Sequence, residues 1–325
     1  MAKNLKIGVL LTNTGTPDAP TTSAVRRYLR AFLSDQRVVK IPRVIWLPIL
    51  YFFILPCRAR KSAALYQKIW TVAGAPMRVI MQSLCTKLQS KYNNASMHVA
   101  IGMNYGNPSL HDALEELRAQ HIDQLIVLPL FPQYSNTTTA STFDGVGSVL
   151  QQWPALPALT FHRDYAEHPL YIAALAQSVQ TFWREHGEAK HLLISYHGLP
   201  QRFVDAGDPY SQQCATTASL LAAALQLQND RWTLCYQSQF GYDKWLQPST
   251  QVLLNELPGR GQTHIDVICP GFSIDCLETL EEIAIRGKNA FVAAGGKQLR
   301  LIPALNDSAQ HIELFSNIIH SSLLP

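Results

Sequence analysis

Charge is what this chain has least of. Only 15% of its 325 residues are Asp, Glu, Lys or Arg, against about 25% in an average soluble domain. With 47% hydrophobic residues, part of the surface must be apolar, which suits a greasy ligand or a membrane face. The net charge of +4 comes from 27 basic and 23 acidic residues. No run of Lys and Arg is interleaved with aromatics, so nucleic acid is set aside as a partner. No apolar run reaches the ~18 residues of a membrane span, and the run at 7–11 is too short for the core of a signal peptide. Gly15 is followed by Pro17 without the glycine spacing of a phosphate loop. The six cysteines, Cys57, Cys85, Cys214, Cys235, Cys269 and Cys276, include no C-x-x-C pair, so no zinc knuckle or disulfide framework is expected. Reduced thiols in a cytoplasm are the simplest reading.

What the chain does have is alternation. Strands are predicted at 6–12, 97–104, 124–131, 159–162, 192–195, 232–238, 265–269 and 299–302, with helical stretches between them. The two halves echo each other. Thr14-Gly15-Thr16-Pro17 parallels His197-Gly198-Leu199-Pro200, Asn104-Tyr105-Gly106 parallels Gln239-Phe240-Gly241, and Pro129-Leu130-Phe131-Pro132 parallels Pro270-Gly271-Phe272. The expected fold is α/β, with two Rossmann-like lobes, each a parallel four-stranded sheet flanked by helices. A cleft between them is the expected ligand site. The lobes are placed at 1–155 and 156–306, with a terminal helix at 307–325.

Two stretches carry chemistry. The strand at 192–195 runs into Gly198 and Pro200, which puts His197 at its carboxyl end, where open parallel sheets bind ligands. Histidine changes protonation near neutral pH and ligates borderline metals; its bland alternative is to hydrogen-bond its own turn. Far along the chain, a helix expected at 275–286 spaces Asp275, Glu278 and Glu282 at i, i+3 and i+7, on one face. That pattern is either a solvated charged face or an anionic partner for His197. Were the two to share a crevice, an imidazole and a carboxylate could bind Fe(II), Zn(II) or Co(II). Too few ligands for a closed site implies metal in transit or a proton-handling pair. The apolar run at 45–55 is read as an exposed lip rather than a core segment. Arg37, Lys40 and Arg43 precede it and Arg58, Arg60 and Lys61 follow it, the arrangement of a protein resting on an anionic bilayer.

Seven stretches in order resemble the ferrochelatases, which insert Fe(II) into protoporphyrin IX in the last step of haem synthesis. They are Asn13-Thr14-Gly15-Thr16-Pro17, Gly74-Ala75-Pro76-Met77, Tyr105-Gly106, Pro129 to Ser135, Ser195 to Pro200, Tyr236 to Gly241, and Asp275 to Leu280. The resemblance implies a lyase with two lobes around a porphyrin cleft. It carries His197 and Glu278 onto the family's essential histidine and glutamate, with Glu282 continuing the acidic path. Arg58 falls where the family places an arginine near a propionate; Tyr134 and Ser135 are further candidates for the cleft. The metal set is then His197, Glu278 and Glu282. Departures exist. Cys276 stands where many relatives have a histidine, and Asn104-Tyr105 where many have Met-Arg-Tyr. Asn136 replaces a cluster-ligating cysteine and no cysteine follows Cys276, so no iron–sulfur cluster is expected. The expected partners are protoporphyrin IX, ferrous iron and, through the lip, a membrane surface. The expected location is the cytoplasm, on the inner face of the membrane. The competing functions are a porphyrin or haem carrier on the same scaffold and a chelatase for another tetrapyrrole and metal.

Overall fold

In the computed structural model, residues 5–92, 96–241 and 243–323 are described. Tyr242, at the end of the turn after the sixth predicted strand, and the chain ends at 1–4 and 324–325 lie outside them. The chain divides into two units: 1–131, 135–164 and 307–325 form the first, 132–134 and 165–306 the second.

The first unit begins with β1 (Ile7–Asn13), α1 (Thr22–Leu33), α2 (Arg43–Ile49), α3 (Leu55–Ile69), α4 (Pro76–Lys91), β2 (Met97–Met103), α5 (Leu110–Ala119), β3 (Gln124–Pro129), α6 (Thr139–Leu150) and β4 (Ala158–Phe161). All pairings are parallel, in the order β2-β1-β3-β4. Because helices cover both faces, β3 is buried along its whole length, which is why it reads as an unbroken apolar run. Leu10, Leu125 and Val127 pack with Leu114 and Leu117 of α5 and Val146 of α6; each fully buried aliphatic side chain contributes about 1.5–3 kcal/mol. Truncating Leu114, which is wholly buried, to alanine would cost about 2–5 kcal/mol. The Thr21 hydroxyl caps α1 by accepting from the Ala24 amide, and Ser109 with Asp112 forms a capping box on α5. The boundary expected at 155 falls after 164, because β4 pairs with β3 and so completes the first sheet.

The apolar run at 45–55 is helical throughout despite Pro48: α2 passes into a π-helical turn, Leu50–Ile54, and then α3. Leu50 and Leu55 point inward, and the Trp46 indole donates to the Leu33 carbonyl at 2.7 Å. The opposite side is open to solvent, with Val44 87%, Phe52 75% and Phe53 69% exposed. The run is thus buried on one side and exposed on the other.

The second unit contains α7 (Pro169–His186), β5 (His191–His197), α8 (Gln201–Asp205), α9 (Tyr210–Ala224), β6 (Trp232–Gln237), α10 (Thr250–Glu256), β7 (His264–Ile268), α11 (Leu277–Leu280), α12 (Lys288–Ala293) and β8 (Gln298–Leu301). Its sheet is again all parallel, in the order β6-β5-β7-β8. The last helix, α13 (Ala309–Ser321), belongs to the first unit. Asp307, just before it, bonds Ser83 and Lys87 of α4.

The single helix expected at 275–286 is not formed. The chain makes one short α-helical stretch, α11, and then a π-helix over Glu282–Gly287. Asp275 precedes both and does not share an exposed helix face with Glu278 and Glu282. It is buried, and its carboxylate accepts from Thr279 Oγ1 at 2.8 Å, Asn306 Nδ2 at 2.7 Å and the Ala304 amide. An acid this enclosed must have its oxygens satisfied internally, so its role is to close the turn that launches α11.

Candidate active site

β5 continues two residues past the predicted strand end, so that His197 is its last residue, paired in register with Gln237 of β6. The ring is half-buried. Its Nδ1 lies 2.7 Å from the Gly198 carbonyl oxygen. A carbonyl can only accept, so Nδ1 carries a proton and donates it, which leaves Nε2 as the nitrogen not committed to the turn. The bland reading of this histidine is therefore true of one nitrogen, and it is what frees the other. The Tyr210 hydroxyl donates to the His197 carbonyl at 3.0 Å; burial pushes that phenol well above its ordinary pKa, so it stays a donor. The Phe272 ring lies 6.3 Å from the imidazole, centre to centre. Gly198 is needed where it stands, since a Cβ there would meet the Gln237 carbonyl oxygen at 2.6 Å.

Gln237 joins the strand ends to the acidic segment. Its Oε1 accepts from Ser195 Oγ at 2.8 Å and lies 3.5 Å from Cys269 Sγ, while its Nε2 donates to the Glu278 carbonyl oxygen at 2.7 Å. These partners fix the amide orientation, because the oxygen must face the hydroxyl and the NH2 the carbonyl. The bond sets the backbone of Glu278 against the end of β6, one strand from His197. Glu278 is half-buried. Beside it, burial first and then the Glu278 carboxylate push the Cys276 thiol well above its ordinary pKa, so Cys276 is held as a protonated thiol.

Glu282 takes another path. Its Oε1 accepts from the Ser238 amide at 2.7 Å and its Oε2 from the Ser238 hydroxyl at 2.6 Å. Arg286 Nη2 is 3.9 Å from the same carboxylate, and Arg286 Nε is 3.3 Å from the wholly buried Glu281. Among the described residues no three or more His, Cys, Asp or Glu side chains gather as a metal cage. The set of His197, Glu278 and Glu282 is therefore not assembled as one coordination sphere, since Glu282 is turned onto Ser238.

The other candidates are distributed over both units. Tyr134 lies in the second, its amide donating to Gln213 Oε1 at 2.6 Å. Ser135 and Arg58 lie in the first. Ser135 is buried and its hydroxyl shares a hydrogen bond with Thr137, which orders the loop. Arg58 is half-buried on α3; burial lowers its pKa from the ordinary value, but a guanidinium keeps its charge. Sequence reasoning missed Gln237, Ser238 and Tyr210 as site residues. Gln237-Ser238 closes a strand whose end lies beside that of His197, which is the signal that could have found those two.

Two parallel sheets of the same strand order, each flanked by helices, define an α/β protein of two like units, with a histidine at the end of one strand and an acidic segment bonded to its neighbour. Solved structures of SirB from Bacillus subtilis with Fe3+ (TM-score 0.56, 12% identity, covering 98% of this chain and 95% of that one) and of CbiX, described as the terminal enzyme for biosynthesis of sirohaem in denitrifying bacteria (TM-score 0.51, 13% identity, 98% and 100%), share that fold. The family model for ferrochelatase matches residues 6–323. Proteins named ferrochelatase from Methylococcus capsulatus (50% identical, covering 98% of this chain and 97% of the relative) and Vibrio cholerae (48% identical, 98% and 99%) match along their length. The chain belongs to the ferrochelatase family.

Proposed function

We propose that this chain inserts Fe(II) into protoporphyrin IX, giving protohaem and releasing two protons, with His197 and Glu278 carrying the chemistry. The observation that carries the assignment of roles is the commitment of His197 Nδ1–H to the Gly198 carbonyl, which leaves Nε2 as a base at the carboxyl edge of the sheet. A flat porphyrin resists metal because its pyrrole N–H groups occupy the in-plane site. Binding energy from the rest of the macrocycle must bend the ring so that nitrogen lone pairs tilt out of plane. His197 Nε2 then accepts a pyrrole proton, and Glu278 handles the incoming iron. Arg58 pairs with a propionate, as a fixed cation suited to a carboxylate, and Tyr134 and Ser135 belong to the porphyrin-binding loop. No resident iron–sulfur cluster is part of this reading, for want of a cysteine at Asn136 and beyond Cys276.

The lip supports a second element of the proposal. Val44, Ile45, Tyr51, Phe52 and Phe53 are exposed between Arg43 and the group Arg58, Arg60 and Lys61, and no described helix is long and apolar enough to cross a membrane. This pattern supports surface attachment to an anionic bilayer, and the proposed location is the cytoplasm, on the inner face of the membrane. The test of function is to mix the purified chain with Fe(II) and protoporphyrin without oxygen and follow absorbance. Metallation well above the uncatalysed rate is expected; a rate equal to it would end the chelatase reading.

A further inference from the structure

The acidic segment that follows β7 is irregular, yet it is held at two successive points by one dipeptide. Gln237 donates its side-chain amide to the Glu278 carbonyl, and Ser238 donates its amide and hydroxyl to the two oxygens of Glu282. Ser238 can present both donors to one carboxylate because its backbone is left-handed, at φ 62°. A non-glycine residue rarely adopts that conformation without surrounding contacts that hold it there. The grip falls where the short α11 gives way to the π-helix of Glu282–Gly287, a rare helix type that is frequent at functional sites. Glu282 is shielded further by Arg286.

We propose that Gln237-Ser238 is the positioning device of the metal-handling segment. Ser238, acting through Glu282, holds the π-helical turn so that Glu278 stays in register with His197, and thereby sets the enzyme's apparent affinity for the divalent metal. Ser238 is a positioning residue, not a metal ligand. Glu282 is its anchor, an anion with both oxygens engaged. The proposal rests on the chelatase reading above.

The test uses the full chain with Ser238→Ala and Ser238→Gly. Both remove the hydroxyl, and glycine also relieves the left-handed backbone. A hydrogen bond to a charged group is expected to matter by about tenfold or more, so KM for Fe(II) rises about tenfold in both variants. kcat and KM for protoporphyrin stay within about twofold. A backbone role alone would separate the two variants, with glycine equal to the unaltered chain. Combining Ser238→Ala with Glu282→Gln adds little to Glu282→Gln alone if both act through one contact. A metal KM within about twofold of the unaltered chain in either variant overturns the proposal while leaving the chelatase reading intact. Amide exchange over residues 277–287, read without metal or porphyrin, examines the clamp independently of activity. It should quicken in Ser238→Ala, and unchanged exchange overturns the clamp even if the function stands. Failure of the unaltered chain to metallate porphyrin removes the function and this proposal with it.

Discussion

The two units are built to one plan and differ where the plan meets chemistry. In each, the first strand is central, the second pairs on one side and the third and fourth on the other. Even the turns correspond: Met103 at the end of β2 donates its amide to the Pro108 carbonyl at 2.8 Å, and Tyr236 near the end of β6 donates to Pro248 at 2.9 Å. Where the first strand gives way to its Gly-x-Pro turn, however, the first unit places Thr14, whose amide donates to the Asn13 side chain, and the second places His197. After the third strand, the first unit makes the regular twelve-residue α6, and the second makes the broken α11 and π-helix. The third-strand position that is Ile126 in one unit is the buried Asp266 in the other. Asp266 is gripped by Arg300 at 2.7 and 2.9 Å and by Trp183 at 2.8 Å, while Ile126 sits across from Thr160. A duplicated scaffold supplies the sheet edge. The proposed chemistry lies at a few positions where the units differ and at one irregular helix.

Exchanging the residues that differ should break that comparison, most visibly at the first-strand ends. His197→Ala is expected to slow metallation by about a thousandfold, within the range of a lost acid–base group. Thr14→Ala at the corresponding place should change it by no more than about threefold; steady-state rates of both variants, with circular dichroism to verify folding, decide this. Next in size is stability. Arg300→Ala leaves Asp266 charged and buried and should cost about 3–5 kcal/mol, whereas Thr160→Ala in the first unit should cost about 1 kcal/mol, both read by urea unfolding. The lip belongs to the first unit alone. Phe52→Asp with Phe53→Asp should weaken co-sedimentation with anionic vesicles by about tenfold or more, since each exposed ring offers about 1.5–3 kcal/mol on burial, with metallation of dispersed porphyrin unchanged.

The smallest effect concerns α13. Lys87 and then Ser83 hold the Asp307 carboxyl below its ordinary pKa. That pair therefore contributes stability above the unfolded carboxyl's pKa, and the contribution is lost as pH falls through the lower folded value. The pair is partly exposed, so its worth is below about 1 kcal/mol. Asp307→Asn should flatten that part of the acid-unfolding curve, and an unchanged curve would show that the contact does not hold α13.

Much of the plan was legible because it is written in local signals. The apolar runs mark the strands, Thr21 and Ser109 are of the residue types that cap helices, and the echoing turns give the internal repeat. His197 and Glu278 could be singled out because each follows a strand that breaks at Gly or Pro. The irregular helix was not legible, since Glu278 and Glu282 fit an α-helical face as well as they fit the observed turn. What decides between them is tertiary: Ser238 in a left-handed conformation, reaching a carboxylate 44 residues away, and Asp275 drawn inward by Asn306. The boundary after 164 was equally hidden, because β4 is short and half-exposed and only its pairing with β3 assigns it.

The claim on which the account turns is that a free imidazole nitrogen at the end of β5 takes the porphyrin's proton. It is tested most directly by measuring metallation and porphyrin binding side by side for His197→Ala, with and without imidazole in the buffer. The account predicts porphyrin binding within a few-fold of the unaltered chain, a rate near background, and partial recovery that grows with the concentration of neutral imidazole. A variant that metallates at the unaltered rate, or whose loss merely follows a loss of porphyrin binding, would contradict it.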